Sequence, residues 1–363
     1  MANQSRPFLI DTVELCEPRP EELTVRVVAT GVCQTDLHGR DGYFTSPYPA
    51  VYGHEGAGVV HAVGAAVRTF EPGDHVVMSF PRCGTCSNCS QRRISYCVHS
   101  RGLKMRGTRP DGSTLLSKDG APVYSAFFQQ SSFGTYALTQ QHFAVKVRKD
   151  APLDIQGPLA CSGQTGAGAV LNVMKPKPGD GIAIFGVVAV GLSALMAAKI
   201  AGCGPIVASD VHESRLALAR ELGASRIRLI TIAAEGLSTR SKLSPLAGCA
   251  ARWTLPRFPP CVRGGRIPCT RRYLRAARQR ARGQRSLARD AVFAGWPNSA
   301  RRGSGRERAE RIYSAARRSH HDNKFPIQKM IKFYDFADIN LAAQESSSGV
   351  AIKPVLRMPA AGA

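Results

Sequence analysis

The sequence predicts an α/β protein: a β-rich first domain followed by a doubly wound parallel sheet. Three observations point there. Residues 182–210 (IAIFGVVAVGLSALMAAKIAGCGPIVASD) read as strand, glycine turn, helix, second strand and terminal acid. Before residue 150 the chain alternates β-branched runs with Gly and Pro punctuation, the pattern of short twisted strands. Residues 213–222 (ESRLALAREL) form an amphipathic helical stretch closed by Gly223, a fitting next element for such a sheet.

With 363 residues and 44% hydrophobic content the chain is long enough for two domains with their own cores. The first eighteen residues, MANQSRPFLIDTVELCEP, hold no apolar run of signal-peptide type, so the expected location is the cytoplasm. Eleven cysteines in such a compartment point to metal binding before disulfides. A net charge of +23 suggests a nucleic-acid binder, but its distribution argues against one. Residues 226–320 hold 22 Arg and Lys242 against Glu235, Asp290, Glu307 and Glu310, so this block carries +19 and the rest of the chain only +4.

Along the chain, residues 22–30 (ELTVRVVAT) alternate and read as a strand, leading into GVCQTDLH at 31–38 and, after a Pro- and Tyr-rich loop, GHEGAGVV at 53–60. Gly73-Asp74 is a turn into the next strand. Cys83, Cys86, Cys89 and Cys97 follow within fifteen residues. A short loop with this spacing can wrap one tetrahedral zinc ion in a closed, structural site, with an iron–sulfur cluster as the rival. Residues 101–135 are a polar, turn-rich excursion, and 127–138 (FFQQSSFGTYAL) return to β-like character. Cys161 stands at the head of a small-residue helix. A strand at 182–186 opens the nucleotide-binding unit, with its helix expected from about Gly191 to Gly202. Its glycine fingerprint is Gly186-Val187-Val188-Ala189-Val190-Gly191, with Val188 where a middle glycine lets backbone approach a pyrophosphate. By itself that pattern also suits a βαβ unit with no ligand. Asp210 ends the second strand, where a carboxylate accepts both ribose hydroxyls and repels a 2′-phosphate, favouring NAD over NADP. The uncharged run 181–198 is short for a membrane span, and its glycines suit strand-turn-helix better. A third strand half appears at 227–232, but 235–320 contain only Val262, Ile267, Val292 and Ile312 as β-branched aliphatics, too few for three more buried strands. Order returns at Asn323: 325–336 are amphipathic, 336–343 read as a helix and 349–356 as a strand.

Cys33, His54 and Cys161 offer two thiolates and an imidazole, a ligand set that leaves a fourth zinc position open. Spacing alone leaves them equally readable as core cysteines and a satisfied histidine. GVCQTDLH, GHEGAGVV, the four-cysteine lobe, QTGAGAVLNV and the 182–210 stretch together resemble the zinc-dependent medium-chain alcohol dehydrogenases over residues 1–225 and 323–363. FFQQSSFGTYAL, KFYDFADIN and SGVAIKPVLRM are similar to the aryl (benzyl) alcohol branch.

The resemblance implies a GroES-like catalytic domain over 1–160, a Rossmann NAD-binding domain over 161–321 and a return to the catalytic domain over 322–363. It implies two zinc ions per chain, a catalytic one on Cys33, His54 and Cys161 with Glu55 as a transient neighbour, and a structural one on Cys83, Cys86, Cys89 and Cys97. Asp36 would orient His54, Thr35 would take the alcohol proton, and His38 would pass it on. Gln34, Thr165, Gly186, Gly191, Asp210, Arg215 and Lys353 would contact NAD. The implied reaction is oxidation of a primary, aromatic alcohol to its aldehyde by a homodimer or tetramer, with no membrane or nucleic-acid partner. Gln34, Val188 and Ser162-Gly163 depart from the family pattern.

Residues 226–320 have the expected length but not the expected composition, and their Arg, Ala, Gly, Pro and Ser content is that of GC-rich DNA read in a shifted frame. The alternative is a catalytically inactive zinc-binding remnant with a disordered or nucleic-acid-binding basic segment.

Overall fold

In the computed structural model of the chain, residues 1, 6–44, 47–229 and 324–360 are described. The Arg-rich block expected to be out of frame lies outside the described residues except for 226–229.

The larger sheet grows from β2 (Glu22–Gly31), whose ELTVRVVATG is buried along almost its whole length. It pairs antiparallel with β3 (Gly56–Val63) on one side and with both β7 (Tyr136–Gln140) and β13 (Lys353–Arg357) on the other. The order is β12 (Ile331–Asp335), β13, β2, β3, β4 (His75–Met78), β8 (Ala144–Lys146). Strands from both ends of the sequence therefore share one sheet. Close packing of β3 on β2 needs Gly58, where a Cβ would stand 2.1 Å from the Arg26 carbonyl oxygen. A small antiparallel sheet of β1 (Glu14–Leu15), β5 (Leu116–Lys118) and β6 (Ala121–Val123) flanks it. Three helices matter on this side: α1 (Gln34–Arg40), α2 (Ser87–Ser90) and α3 (Ser100–Met105).

The second sheet is parallel: β11 (Arg226–Leu229), β10 (Ile206–Asp210) and β9 (Ile182–Phe185). Around it lie α4 (Ser162–Gly168), α5 (Ala189–Ile200) and α6 (Glu213–Leu222), with α7 (Ile339–Ser348) following β12. The strand-turn-helix-strand order and the α6 cap at Gly223 (φ 120°) agree with the sequence pattern. The turn glycine Gly186 has φ 82°, and a Cβ on Gly191 would stand 2.0 Å from its carbonyl oxygen, so both positions require glycine. One apolar core runs from Val145 and Ile155 through Ile184 and Leu195 to Ile327, joining the parallel sheet to the larger one.

Four expectations change. The helix after the glycine turn starts at Ala189, before Gly191, because Val188 has extended φ/ψ and serves as its N-cap. FFQQSS is not strand: Phe127–Gln129 form a tight turn, and Phe128, Gln129 and Ser131 have φ of 51°, 57° and 47°. The short α4 widens into a π turn over Ala169–Met174. The last strand starts at Lys353, after the αL cap Gly349. Among the described residues no helix is long and apolar enough to cross a membrane.

Candidate active site and metal centres

Cys33 is the N-cap of α1, at the point where β2 leaves the sheet. Its backbone N–H donates to Asp36 Oδ2 at 2.9 Å. The other carboxylate oxygen, Oδ1, accepts from Gly53 N–H at 3.1 Å and from His54 Nδ1 at 2.8 Å. One buried Asp therefore fixes the first turn of α1 against the segment carrying His54. With Nδ1 donating to Asp36, the His54 tautomer leaves Nε2 as its open nitrogen. Nε2 lies 3.3 Å from Cys161 Sγ, and Cys161 caps α4 after the turn Gly157–Ala160. Ligand atoms of Cys33, His54, Glu55 and Cys161 all lie within 4.8 Å of one another.

The electrostatics suit a cation. The hydrogen bond between the two thiols pulls Cys33 well below the usual thiol range and pushes Cys161 well above it, burial adding to the latter. Burial works against a charged His54, but Asp36 and then Cys33 outweigh it and lift the imidazole to about 10, so a metal at Nε2 would take the place of a proton there. Ligands of a tetrahedral zinc stand about 3.3–3.8 Å apart, given Zn–N and Zn–S bonds of about 2.0–2.3 Å. The observed spacing fits such an ion, and two thiols, an imidazole and an open quadrant are the donor set of a catalytic site.

Glu55, expected beside this metal, belongs to this cluster and also pairs with Lys353, whose Nζ reaches its two oxygens at 2.8 and 3.1 Å and the Val32 carbonyl at 3.3 Å. Both residues are buried. Burial raises the Glu55 carboxyl, with Lys353 opposing it. The seat exists because residue 31 is glycine: a Cβ there would stand 2.0 Å from Glu55 Oε2. The resemblance implied that Lys353 contacts NAD; its described contacts are with Glu55 and Val32.

Thr35 and His38 sit three apart on one face of α1, and Thr35 Oγ1 is 3.7 Å from Cys33 Sγ. Burial holds His38 below its ordinary pKa. Its ring stands 4.9 Å from Tyr43 and 6.2 Å from Phe44. Phe44 also lines a cavity of about 280 Å³ with Arg101, Gly102, Met105 and Arg106. Gln34 is half-buried at the start of α1. The sequence reading missed the aromatic wall: Phe128 stacks on His54 at 4.5 Å, Phe127 meets it edge-on at 5.8 Å and Phe80 stands at 6.5 Å. The unusual run of adjacent aromatics at 127–128 was the available signal.

In the second metal centre, Cys83, Cys86, Cys89 and Cys97 bring four sulfurs within 4.8 Å. Cys83 and Cys89 are 3.9 Å apart, too far for a disulfide and close to the spacing of sulfurs on one zinc. Backbone N–H groups of Cys83 and Cys86 point at sulfurs of Cys97 and Cys83, both at 3.3 Å. Burial opposes the thiolate at Cys83, but the Cys86 and Thr85 N–H groups outweigh it and bring it to about 6. Burial pushes Cys89 up to about 12. Four sulfurs this close would enclose a single ion and leave no room for bridging sulfides, which disfavours the iron–sulfur rival.

At the nucleotide end, Asp210 Oδ2 accepts from Val187 N–H at 2.7 Å and Oδ1 from Val211 and His212 N–H at 2.8 and 3.0 Å. The carboxylate thus sits directly under the glycine turn, and Oδ2 keeps a lone pair for one more donor. Arg215 Nη1 stands 3.5 Å from Oδ1, and its Nε is buried with no hydrogen-bond partner. Thr165 is half-buried on α4, which touches the turn through Gly166: a Cβ there would stand 2.2 Å from Val190 O.

Residues 19–149 match the family model described as the alcohol dehydrogenase GroES-like domain. The chain is 39% identical over 370 residues to geraniol dehydrogenase of Castellaniella defragrans, covering 96% of this chain and 94% of the relative. Its fold is similar to the alcohol dehydrogenase zinc-binding domain protein of Burkholderia ambifaria, with a TM-score of 0.76, 36% identity and 99% and 97% of the two chains covered. It is also similar to benzyl alcohol dehydrogenase of Acinetobacter calcoaceticus, with a TM-score of 0.74, 30% identity and 99% and 98% covered.

Proposed function

The chain belongs to the zinc-dependent alcohol dehydrogenases of the medium-chain class, a family of NAD-using oxidoreductases, and from that premise we propose that it oxidises a primary aromatic alcohol to the aldehyde. The half-buried Phe80, 6.5 Å from the His54 ring and backed by the buried Phe127 and Phe128, supports the substrate assignment as the aromatic surface a benzyl-type alcohol would meet. The benzyl alcohol dehydrogenase of Acinetobacter supports it.

Cys33, His54 and Cys161 would hold zinc, which supplies a Lewis acid that makes an alcohol hydroxyl acidic at neutral pH. Gly186, Gly191 and Asp210 would hold NAD, which would supply the hydride acceptor. Thr35 Oγ1, next to Cys33, receives the hydroxyl proton, and His38 one turn on carries it towards solvent. His38 is suited to that step because burial keeps it neutral at physiological pH. Gln34 and Thr165 flank the site from α1 and α4. Asp36 keeps Nε2 of His54 aimed at the metal position throughout. Lys353 pairs with Glu55 beside it.

Purified full-length chain should reduce NAD with benzyl alcohol at a kcat/KM at least tenfold above that with cyclohexylmethanol and with NADP in place of NAD. Equal rates for the two alcohols would remove the aromatic assignment while leaving the family assignment intact. A second reading, a zinc-loaded remnant without turnover, draws on the parallel sheet, which has three strands among the described residues. Quenching of NADH fluorescence separates the two: binding supports the enzyme, and no binding by a chain carrying two zinc ions supports the remnant.

A further inference from the structure

The helix α3 hangs from the four-cysteine lobe and ends against the catalytic half. Ser100 N–H donates to the Cys97 carbonyl at 3.0 Å, and Gln129 Nε2 donates to the Leu103 carbonyl at 3.0 Å. The buried residue of this short helix is Lys104, 3% exposed. Its Nζ stands 4.9 Å from the Phe80 ring centroid and 5.5 Å from that of Phe128, within cation–π range of both. Those rings are 5.3 Å apart, and Phe128 lies within 24° of parallel to His54.

The charge is what distinguishes this position from one filled by methionine, which would occupy the same space without desolvation. Burial lowers Lys104 to about 8, with the nearby sulfurs of Cys161 and Cys97 opposing. The backbone beneath is costly too, since Phe128, Gln129 and Ser131 are all left-handed. Surrounding contacts hold it: Gln130 brackets the His54 carbonyl and Gly56 N–H at 3.1 Å each, and Ser131 Oγ donates to the Val51 carbonyl at 2.7 Å. Lobe, α3, strained turn and His54 form one connected chain of contacts.

We propose that Lys104 is a positioning residue for His54: its ammonium, carried by α3 from the four-cysteine lobe, holds Phe80 and Phe128 and so sets the plane in which His54 presents Nε2 to Cys33 and Cys161. The inference rests on those three residues being metal ligands. The lobe then does more than brace the fold, because it delivers a cation to the wall of the catalytic centre.

The test uses the full-length chain with cobalt in the Cys33–His54–Cys161 site and zinc in the lobe. Lys104→Met is expected to shift the visible ligand-field bands and to speed metal loss to a chelator about tenfold, the scale of an outer ligand-orienting contact. Lys104→Arg, which keeps the cation over the rings, should retain both within twofold. Phe128→Leu should reproduce the Lys104→Met shift, and the double variant should add little to either. A folded Lys104→Met chain with lowered Tm but native bands and native chelation rate would overturn the proposal. If Lys104→Met does not fold, Phe128→Leu decides, and native bands there overturn it. No alcohol or NAD enters these measurements, so their failure is distinct from failure of the alcohol dehydrogenase reading.

Discussion

Asp36 binds three groups with two oxygens: the Cys33 amide, the Gly53 amide and His54 Nδ1. Asp36→Asn keeps the shape but loses the charge on the imidazole. It is expected to weaken metal at the catalytic centre about 10–100-fold while sparing the four-cysteine site. Metal analysis after graded chelation checks this: content should fall from two ions to one, and parallel loss of both would contradict it. At His38, burial moves the pKa below its ordinary value, so activity should persist as pH falls through about 6.5. It should decline only below the depressed pKa, as the ring gains its proton and stops acting as a base. His38→Gln should lower kcat by about 100-fold and flatten that acid limb. A wild-type profile already falling above pH 7 would assign the limb to another group.

At the scale of elements, Glu22 at the start of β2 forms a bidentate pair with Arg109, Oε1 to Nε and Oε2 to Nη2, both 2.7 Å. Burial pushes the Glu22 carboxyl up, but Arg109 outweighs it and the net direction is down. A depressed carboxylate stabilises the fold above its unfolded pKa, and that stability is lost as pH falls through the folded one. Glu22→Gln leaves the guanidinium buried beside a neutral amide and should cost about 3 kcal/mol at pH 7. Thermal unfolding at pH 7 and pH 3 tests it: the gap between wild type and variant should shrink at pH 3. The element scale also explains what could be read beforehand. Periodicity and glycine spacing sufficed for β2, β9 and α6, and for the presence of α5 though not its first residue, since each is built around apolar positions that its own residues announce. They failed at 127–132, because left-handed backbone at Phe128, Gln129 and Ser131 is imposed by neighbours and leaves no trace in residue type. Lys104 was hidden for a similar reason. In sequence it is one more cation in a polar excursion, and only the packing of α3 buries it.

At the scale of the whole molecule, residue types identified Cys33, His54 and Cys161 as candidates, but their meeting depends on three separate segments. The Lys353–Glu55 contact spans 298 positions and could not be inferred from local pattern. Residues 226–320 are where sequence reasoning and the family part company. Resequencing the DNA for residues 220–325 and translating all three frames is expected to yield β-branched strands in another frame, rejoining cleanly at Asn323. If no frame does so, the Arg-rich block is genuine and salt-dependent nucleic-acid binding becomes the measurement to make.

The pairing of Val355 with Gly31 has a consequence for biogenesis. Since β13 bonds to β2 and Lys353 closes on Glu55, the catalytic half cannot be completed while those residues remain inside the ribosome. Cys33, His54 and Cys161 are all synthesised well before Lys353, so the pairing of Glu55 is the last contact added to this centre. A reading-frame slip that failed to restore the original frame would remove β13 altogether, and with it the strand that seals the other end of the protein.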